Sequence, residues 1–257
     1  MSFHLAPFVR KFALTAALAL GTALPATALD LGNLSDEERS LFRDEVRAYL
    51  LDNPEVLIEA FEVYEMRQEM AQAELDVELV KANASDLFQD GYSHVEGNPD
   101  GDITIVEFVD YQCGYCRRAY DVVQELLEKD SGIRVILKEF PILSEASLLS
   151  ARFAIAGQQL FGEEAYGKLH DALITIRGEV TVERLVELAG DLGLDGKAIV
   201  AEMASPAVSE VLQKNRELGQ RLRITGTPAF VIQDSMERGF LELDVMEEII
   251  AEKREGS

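Results

Sequence analysis

The stretch that decides the fold is residues 103–116, ITIVEFVDYQCGYC, in which an apolar run leads directly into two closely spaced cysteines. The run Ile103–Val109 is rich in β-branched residues, which is typical of a central strand buried on both faces. Cys113 and Cys116 follow, at the start of a helix that we predict from about Gly114 to Glu128. The free N–H groups and positive dipole end of a helix start stabilise a thiolate. The stretch therefore predicts reactive thiols at a strand–helix junction.

These two residues are the only cysteines among 257, so they cannot belong to a larger disulfide framework. Their spacing lets the two sulfurs form and break a disulfide reversibly. A zinc site is disfavoured, because zinc needs four ligands and neither His94 nor His170 lies at metal-binding spacing. We favour redox exchange over a structural disulfide, and we predict no metal and no cofactor besides the redox-active disulfide Cys113–Cys116.

The first 28 residues carry the pattern of a cleavable secretory signal. Arg10 and Lys11 precede an apolar run, Phe12–Leu24, and the small residues of an ATA sequence follow at 26–28. We predict that residues 1–28 are removed and that the mature protein is exported to the periplasm. An uncleaved anchor is the alternative, although the run is shorter than the ~20 residues that span a bilayer.

The composition is strongly acidic, with 47 Asp and Glu against 24 Lys and Arg and a net charge of −23. Residues 1–28 hold two positive charges and no acid, so the predicted mature chain carries about −25. Nucleic acids and anionic membranes attract basic surfaces, and the charge therefore argues against both as partners. No later segment reaches ~18 apolar residues, so we also predict no stable membrane insertion.

Residues 29–84 are predicted to form a helical N-terminal segment. Ser35 and Glu38 match a capping box for a first helix to about Leu51, and Asp52-Asn53-Pro54 breaks it. A second helix to about Ala82 carries apolar residues at steps of three and four: Val56, Ala60, Val63, Met66, Met70, Ala73, Val77 and Val80. This stripe fits a helix packed on its own domain or one that associates with copies of itself, and we lean to association.

Residues 85–257 alternate strands and helices. After a short strand near Tyr92–Val95, the strands Ile103–Val109 and Ile133–Phe140 flank the first helix, which predicts a parallel pair with a right-handed crossover. Every periodic stretch within 144–222 looks helical, with breaks near Gly162, Gly178, Gly190–Gly196 and Ser205-Pro206. Two short strands, Ala229–Gln233 and Arg238–Leu241, then form a predicted hairpin, and Asp244 is predicted to cap a final helix. The fold class is α/β.

Two motifs together resemble the DsbA family of exported thiol–disulfide oxidoreductases. They are the stretch 102–143, which includes DITIVEFVDYQCGYC, and the TGTPAF sequence at 225–230. The resemblance covers roughly residues 92–254 and implies a thioredoxin fold with a helical insertion at about 144–222. Residues 47–56, RAYLLDNPEV, are similar to the N-terminal helices of the ScsC-like branch, which implies oligomerisation through this segment.

Both the motif and the resemblance assign the same roles to the cysteines. Cys113 at the helix start is the nucleophile, and Cys116, one turn further in, resolves the mixed disulfide. The dipeptide Gly114-Tyr115 differs from the Pro-His of the strongest oxidants in the family and matches that of exported disulfide isomerases. We therefore expect a pair that is less oxidising than DsbA.

Four further residues are predicted near the thiols. Pro228 matches the family's cis-proline, and the resemblance implies that the backbone of Thr227 pairs with an extended substrate, with Tyr115 as another substrate contact. Glu107 lies in the middle of the buried strand, where an unpartnered carboxylate is costly. The resemblance implies that Glu107 moves protons for the buried cysteine; the alternative is a pairing with Lys138 on the neighbouring strand.

The sequence leaves competing functions. The first is an enzyme that forms or reshuffles disulfides in cysteine-containing exported proteins, with a membrane or soluble redox partner that resets the pair. Within it, a monomeric oxidase and an oligomeric isomerase differ in quaternary structure, and Gly114-Tyr115, Thr227 and the long helix favour the isomerase. The second is a binding or chaperone module whose thiols are incidental, for which Cys113→Ser would leave activity intact.

Overall fold

The computed structural model describes residue 32 and residues 34–256. The predicted signal at 1–28 lies outside the described residues. Within the described part of the chain, no helix combines the length and the apolar character of a membrane span. The described residues divide into two compact units, one that ends at Phe61 and one that begins at Glu62.

Ten helices and five strands occur in the described residues. The helices are α1 Asp36–Asp52, α2 Glu55–Ala82, α3 Ala84–Phe88, α4 Gly114–Lys129, α5 Glu145–Phe161, α6 Glu163–Thr175, α7 Val182–Asp191, α8 Gly196–Glu202, α9 Pro206–Arg221 and α10 Leu243–Glu255. The strands are β1 His94–Gly97, β2 Ile103–Val109, β3 Ile133–Glu139, β4 Ala229–Ile232 and β5 Ser235–Arg238.

The first unit contains α1 and the start of α2. Ser35 caps α1 through the predicted capping box, because its hydroxyl accepts from the Glu38 N–H while the Glu38 carboxylate accepts from the Ser35 N–H. Asn53 ends the helix and Pro54 precedes α2, as predicted. None of the residues of α1 is buried, so this helix has no core of its own.

The second unit is built on a mixed five-stranded sheet in the order β1-β3-β2-β4-β5. Strands β2 and β3 are parallel, as predicted, and the other neighbouring pairs are antiparallel. Strand β2 is central, since it pairs with β3 on one side and with β4 on the other. The carboxyl end of this central strand leads into the two cysteines.

Alternate residues of β2 enter two different cores. Ile105 and Val109 pack in the larger core, with residues of α4 to α10, and Val106 and Phe108 pack in the smaller core. The smaller core also receives Val80 from the end of α2, together with residues of α3 and α9. Because side chains alternate along a strand, Glu107 faces the same side as Ile105 and Val109.

Two strand boundaries predicted from the sequence are wrong, and one short helix was not predicted. The first strand starts at His94, two residues later than predicted, and α3 was not predicted. The second strand of the hairpin is Ser235–Arg238, because a two-residue turn at Gln233 and Asp234 joins it to β4. Gln233 adopts a positive φ of 56°, which is uncommon for a residue other than glycine. The turn was therefore not predicted from the residue types at these positions.

The cap of the last helix was also misassigned. Glu242 occupies the N-cap position of α10 and Asp244 lies in the first turn, where its charge faces the positive end of the helix dipole. The Asp244 carboxylate accepts only its neighbour Val245 N–H, at 2.9 Å. The observed N-cap therefore lies two residues before the predicted one.

Candidate active site

Cys113 occupies the N-cap position of α4, directly after the β2 loop. Its thiol donates a hydrogen bond to the Thr227 carbonyl oxygen, with an Sγ···O distance of 3.1 Å. The first turn of α4 holds no acidic residue and contains Arg117, whose guanidinium donates to the Tyr111 carbonyl. The positive end of the α4 dipole therefore faces the Cys113 sulfur, and no carboxylate in that turn offsets it.

The two thiols differ in exposure. Cys113 keeps 7% of its surface exposed, whereas Cys116 is fully buried one turn further along α4. Burial, and then the negative charge of Glu107, raise the pKa of the Cys116 thiol far above its usual value. The arrangement gives one thiol at the helix start in a residue that keeps a small exposed surface, and one fully enclosed thiol whose raised pKa keeps it protonated until a base acts on it.

Glu107 lies beside Cys116 on the larger-core face of β2. It is 4% exposed, and burial, followed by the charge of Glu96, raises its pKa to about 8. The alternative pairing with Lys138 is wrong: Lys138 forms a buried ion pair with Asp90 and donates to the Asp86 carbonyl. In the β2–β3 register Glu107 is opposite Leu137, so Lys138 points to the other face of the sheet.

Asp110 shapes the loop between β2 and α4. Its buried carboxylate accepts from the Gln112 N–H at 2.8 Å, and from the N–H groups of Ile142 and Leu143 at 2.9 and 3.1 Å. The loop that carries Cys113 is thus tied to the loop that follows β3. Asp110 therefore shapes the turn that precedes Cys113.

A buried polar network surrounds Tyr111. The hydroxyls of Tyr111 and Tyr166 each donate to Oε1 of Glu139 at 2.6 Å, and Nδ1 of His170 lies 3.1 Å from the Tyr111 hydroxyl. Burial raises the pKa of Glu139 to about 8, although both tyrosine hydroxyls act to lower it. The helical insertion is therefore joined to the loop before Cys113.

Sequence reasoning missed this network. Glu139 lies at the end of an apolar strand, and Glu107 lies within another. A carboxylate in such a strand is a signal by which Glu139 could have been recognised. The histidines also have partners that were not predicted: besides the contact of His170, Nδ1 of His94 lies 2.7 Å from Oε2 of Glu163. These contacts join residues dozens of positions apart, which spacing along the chain does not show.

The Thr227–Pro228 peptide bond is cis, as predicted. The carbonyl of Thr227 faces Cys113, and its hydroxyl is buried with no hydrogen-bond partner of good geometry among the described residues. This hydroxyl lies on the side of Cys116, where it acts to lower the pKa of that thiol against the larger effect of burial. The loop thus contacts both cysteines.

Tyr115 stands at the rim of the site with 57% of its surface exposed. The Arg118 guanidinium lies 4.4 Å from the centre of the Phe240 ring and 5.7 Å from that of Tyr115. Two aromatic rings and one cation therefore form an open surface next to Cys113. No group of three or more His, Cys, Asp or Glu side chains within residues 34–256 is arranged to hold a metal ion.

Comparison with known families matches two parts of the chain. The DSBA-like thioredoxin domain matches residues 104–251, which include both cysteines and the cis-proline loop. The Copper resistance protein ScsC N-terminal domain matches residues 38–71, which comprise most of α1 and the first part of α2.

Solved structures and a curated relative add detail. A thioredoxin-like oxidoreductase from Silicibacter pomeroyi DSS-3 is 36% identical, with a TM-score of 0.63, over 67% of this chain and 98% of that one. BcfH of Salmonella enterica Typhimurium is 28% identical, with a TM-score of 0.70, over 84% of this chain and 95% of that one. The Na(+)/H(+) antiporter NhaA 1 of Salinispora arenicola (strain CNS-205) is 25% identical over 60% of this chain, which spans only 23% of the antiporter's length.

Proposed function

The chain belongs to the DSBA-like thioredoxin domain family, and on this premise we propose that it is a thiol–disulfide oxidoreductase that forms or reshuffles disulfides in exported proteins through Cys113 and Cys116. The observation that carries the proposal is the pairing of a slightly exposed cysteine at the start of α4 with a fully buried one a turn later. The Thr227 carbonyl, 3.1 Å from the Cys113 sulfur, belongs to the same site.

The chemistry is disulfide exchange. The Cys113 thiolate attacks one sulfur of a substrate disulfide; a bond forms between Cys113 and that sulfur, and the other sulfur leaves as a thiolate. The Cys116 thiolate then attacks the Cys113 sulfur, which releases the second substrate sulfur as a thiolate and leaves the pair oxidised. The reverse sequence transfers the disulfide to a substrate dithiol. When another substrate thiolate attacks the mixed disulfide instead, the substrate is reshuffled and Cys113 is released unchanged.

We assign the remaining predicted residues by their positions. Glu107, buried beside Cys116 with a pKa raised to about 8, accepts the proton when Cys116 becomes a thiolate. The backbone of Thr227 and the ring of Pro228 hold the substrate segment that carries the attacked sulfur. Tyr115, exposed at the rim, contacts the same segment.

The N-terminal segment favours an oligomer over a monomeric oxidase. The first half of α2 exposes large apolar side chains, including Leu57 at 55%, Ile58 at 61% and Phe61 at 59%. Contiguous exposed apolar surface marks an interaction site. A homo-oligomer that forms through this segment would hold several thiol pairs around one substrate, which suits isomerisation. We infer that the protein acts in the periplasm, where a membrane or soluble redox partner resets the pair of cysteines.

Refolding of scrambled ribonuclease separates these alternatives. The wild-type protein should restore ribonuclease activity, and Cys113→Ser should abolish the effect; retained activity would instead support a binding module with incidental thiols. A version that begins at residue 62 should keep thiol oxidation and lose isomerisation. The cut is placed there because Asp76 and Val80 of α2 are buried in the second unit. Equal isomerisation by both versions would rule out the oligomeric isomerase.

A further inference from the structure

A groove of about 670 Å³ lies on the second unit, between the loop after β3 and the helices α5 and α9. This volume falls within the range of pockets that bind ligands. Its walls expose apolar surface: Leu143 is 55% exposed, Ile142 41% and Leu148 40%. The mechanism proposed above assigns no role to this groove.

The groove is linked to the site of the thiols by two short stretches of chain. It is lined by Thr225, two residues before the Thr227 carbonyl that accepts the Cys113 thiol. Its wall residues Ile142 and Leu143 are fixed by the carboxylate of Asp110, three residues before Cys113. A chain extends by about 3.3 Å per residue. A polypeptide bound at Cys113 therefore reaches the groove within a few residues of its cysteine.

The charge of the groove is opposite to that of the protein. None of the residues that line it is acidic, although the chain holds 47 Asp and Glu. Two arginines line it instead. Arg216 is exposed and, among the described residues, takes part in no ion pair. Arg152 donates to the Met203 carbonyl at 2.7 Å and to the Ser209 hydroxyl at 3.2 Å, and both of these partners are neutral.

We propose that this groove binds the substrate polypeptide close to its reacting cysteine and selects segments that combine large apolar residues with an acidic side chain. The inference rests on the proposed disulfide exchange and deepens it by naming the substrate class. The apolar walls bury the apolar residues, and Arg216 receives the carboxylate. A segment without an acidic side chain binds through the apolar walls alone, and therefore more weakly.

The test measures how fast full-length protein carrying Cys116→Ser forms a mixed disulfide with symmetrical peptide disulfides. Attack by Cys113 releases one peptide as a thiolate and leaves the other attached, because no resolving thiol is present. Two peptides of about eight residues share one cysteine and flanking leucines and differ at a single position, Glu or Gln. Mass spectrometry of the adduct gives the rate for each, and the Glu:Gln ratio cancels any general change in thiol reactivity.

The Glu peptide should react about two- to fivefold faster than the Gln peptide, the range of a single exposed ion pair. Arg216→Glu should invert this ratio, whereas Arg177→Glu, an exposed arginine away from the groove, should preserve it. Leu148→Gln should slow both peptides and keep the ratio. An unchanged ratio in Arg216→Glu, or an equal change in Arg177→Glu, would overturn the groove assignment alone. Absence of any adduct at Cys113 would overturn the disulfide exchange itself and the inference with it.

Discussion

Arg238 binds Asp76 through two parallel hydrogen bonds of 2.6 and 2.8 Å, and this pair joins the end of α2 to the edge strand β5. The Asp76 side chain is 5% exposed and that of Arg238 is 36% exposed. Burial acts to raise the pKa of Asp76, but the hydrogen bonds from Arg238 and Gln72 outweigh it and leave the pKa lowered. Within the second unit, the end of α2 is therefore held by a specific polar contact as well as by the burial of Val80.

Asp76→Asn should lower the free energy of unfolding by about 1–3 kcal/mol at pH 7, because it leaves the guanidinium without its counter-charge at a largely buried site. Urea unfolding measures the loss. Since the folded-state pKa of Asp76 is lowered, its contribution is present above the unfolded pKa and disappears as the pH falls through the folded one. Glu74→Gln, on the exposed side of the same helix, is the matched control and should have no effect.

Glu107→Gln should change how stability depends on pH. In the folded protein the pKa of Glu107 is about 8, whereas the unfolded value is near 4.5. Between these values the folded state holds one more proton, so stability falls as the pH rises, by about 1.4 kcal/mol per pH unit. The variant should lose this part of the slope. Urea unfolding from pH 5 to 8 tests it, and an unchanged slope would contradict the burial of an ionisable Glu107.

Tyr166→Phe removes one of the two hydroxyls that donate to Oε1 of Glu139. We expect a loss of about 1–2 kcal/mol in the free energy of unfolding, because the site is fully buried and water cannot replace the donor. Tyr120→Phe is the control: its hydroxyl also donates to a carboxylate, Asp171, but at an exposed position. Equal losses in the two variants would show that the buried hydrogen bond to Glu139 stabilises the fold no more than the exposed one to Asp171.

Thr227→Val removes a buried hydroxyl and keeps the carbonyl that accepts the Cys113 thiol. Stability should stay level or rise by up to about 1 kcal/mol, because the hydroxyl has no well-placed partner. The pKa of Cys116 should rise further, since the hydroxyl acts to lower it. Resolution of the mixed disulfide should then slow, and stopped-flow measurement of its lifetime tests this. A shorter lifetime would refute the role given to the hydroxyl.

The dipeptide between the cysteines should set a reduction potential below that of DsbA. We expect a potential more negative than about −120 mV from equilibration with glutathione. Replacing Gly114-Tyr115 by Pro-His should raise it towards that value. A potential at or above about −120 mV for the unaltered protein would show that this dipeptide does not make the pair less oxidising.

Local signals in the sequence predicted much of the site correctly. The β-branched run of β2, the capping box at Ser35 and the helix at Cys113 are each encoded within a few residues. The cis bond before Pro228 followed from a family motif rather than from spacing. These features do not depend on which distant residue lies opposite.

The unpredicted features depend on distant contacts. Lys138 was considered as a partner of Glu107, but the pleat of β3 directs it to Asp90 on the other face. Tyr111 meets His170 across 59 positions in the chain, and no local pattern marks that contact. The five-residue helix α3 carries too few residues to show a periodicity.

Cys113 and Cys116 have one more consequence, which concerns measurement. The sequence contains no third cysteine. Each maleimide that the protein takes up therefore reports the redox state of this one pair. An oxidised molecule takes up no maleimide, a reduced one takes up two, and a molecule caught mid-reaction carries its substrate as added mass. A single mass spectrum of acid-quenched, denatured and alkylated protein therefore counts the occupancy of each state in a cell extract, without an added sensor or tag.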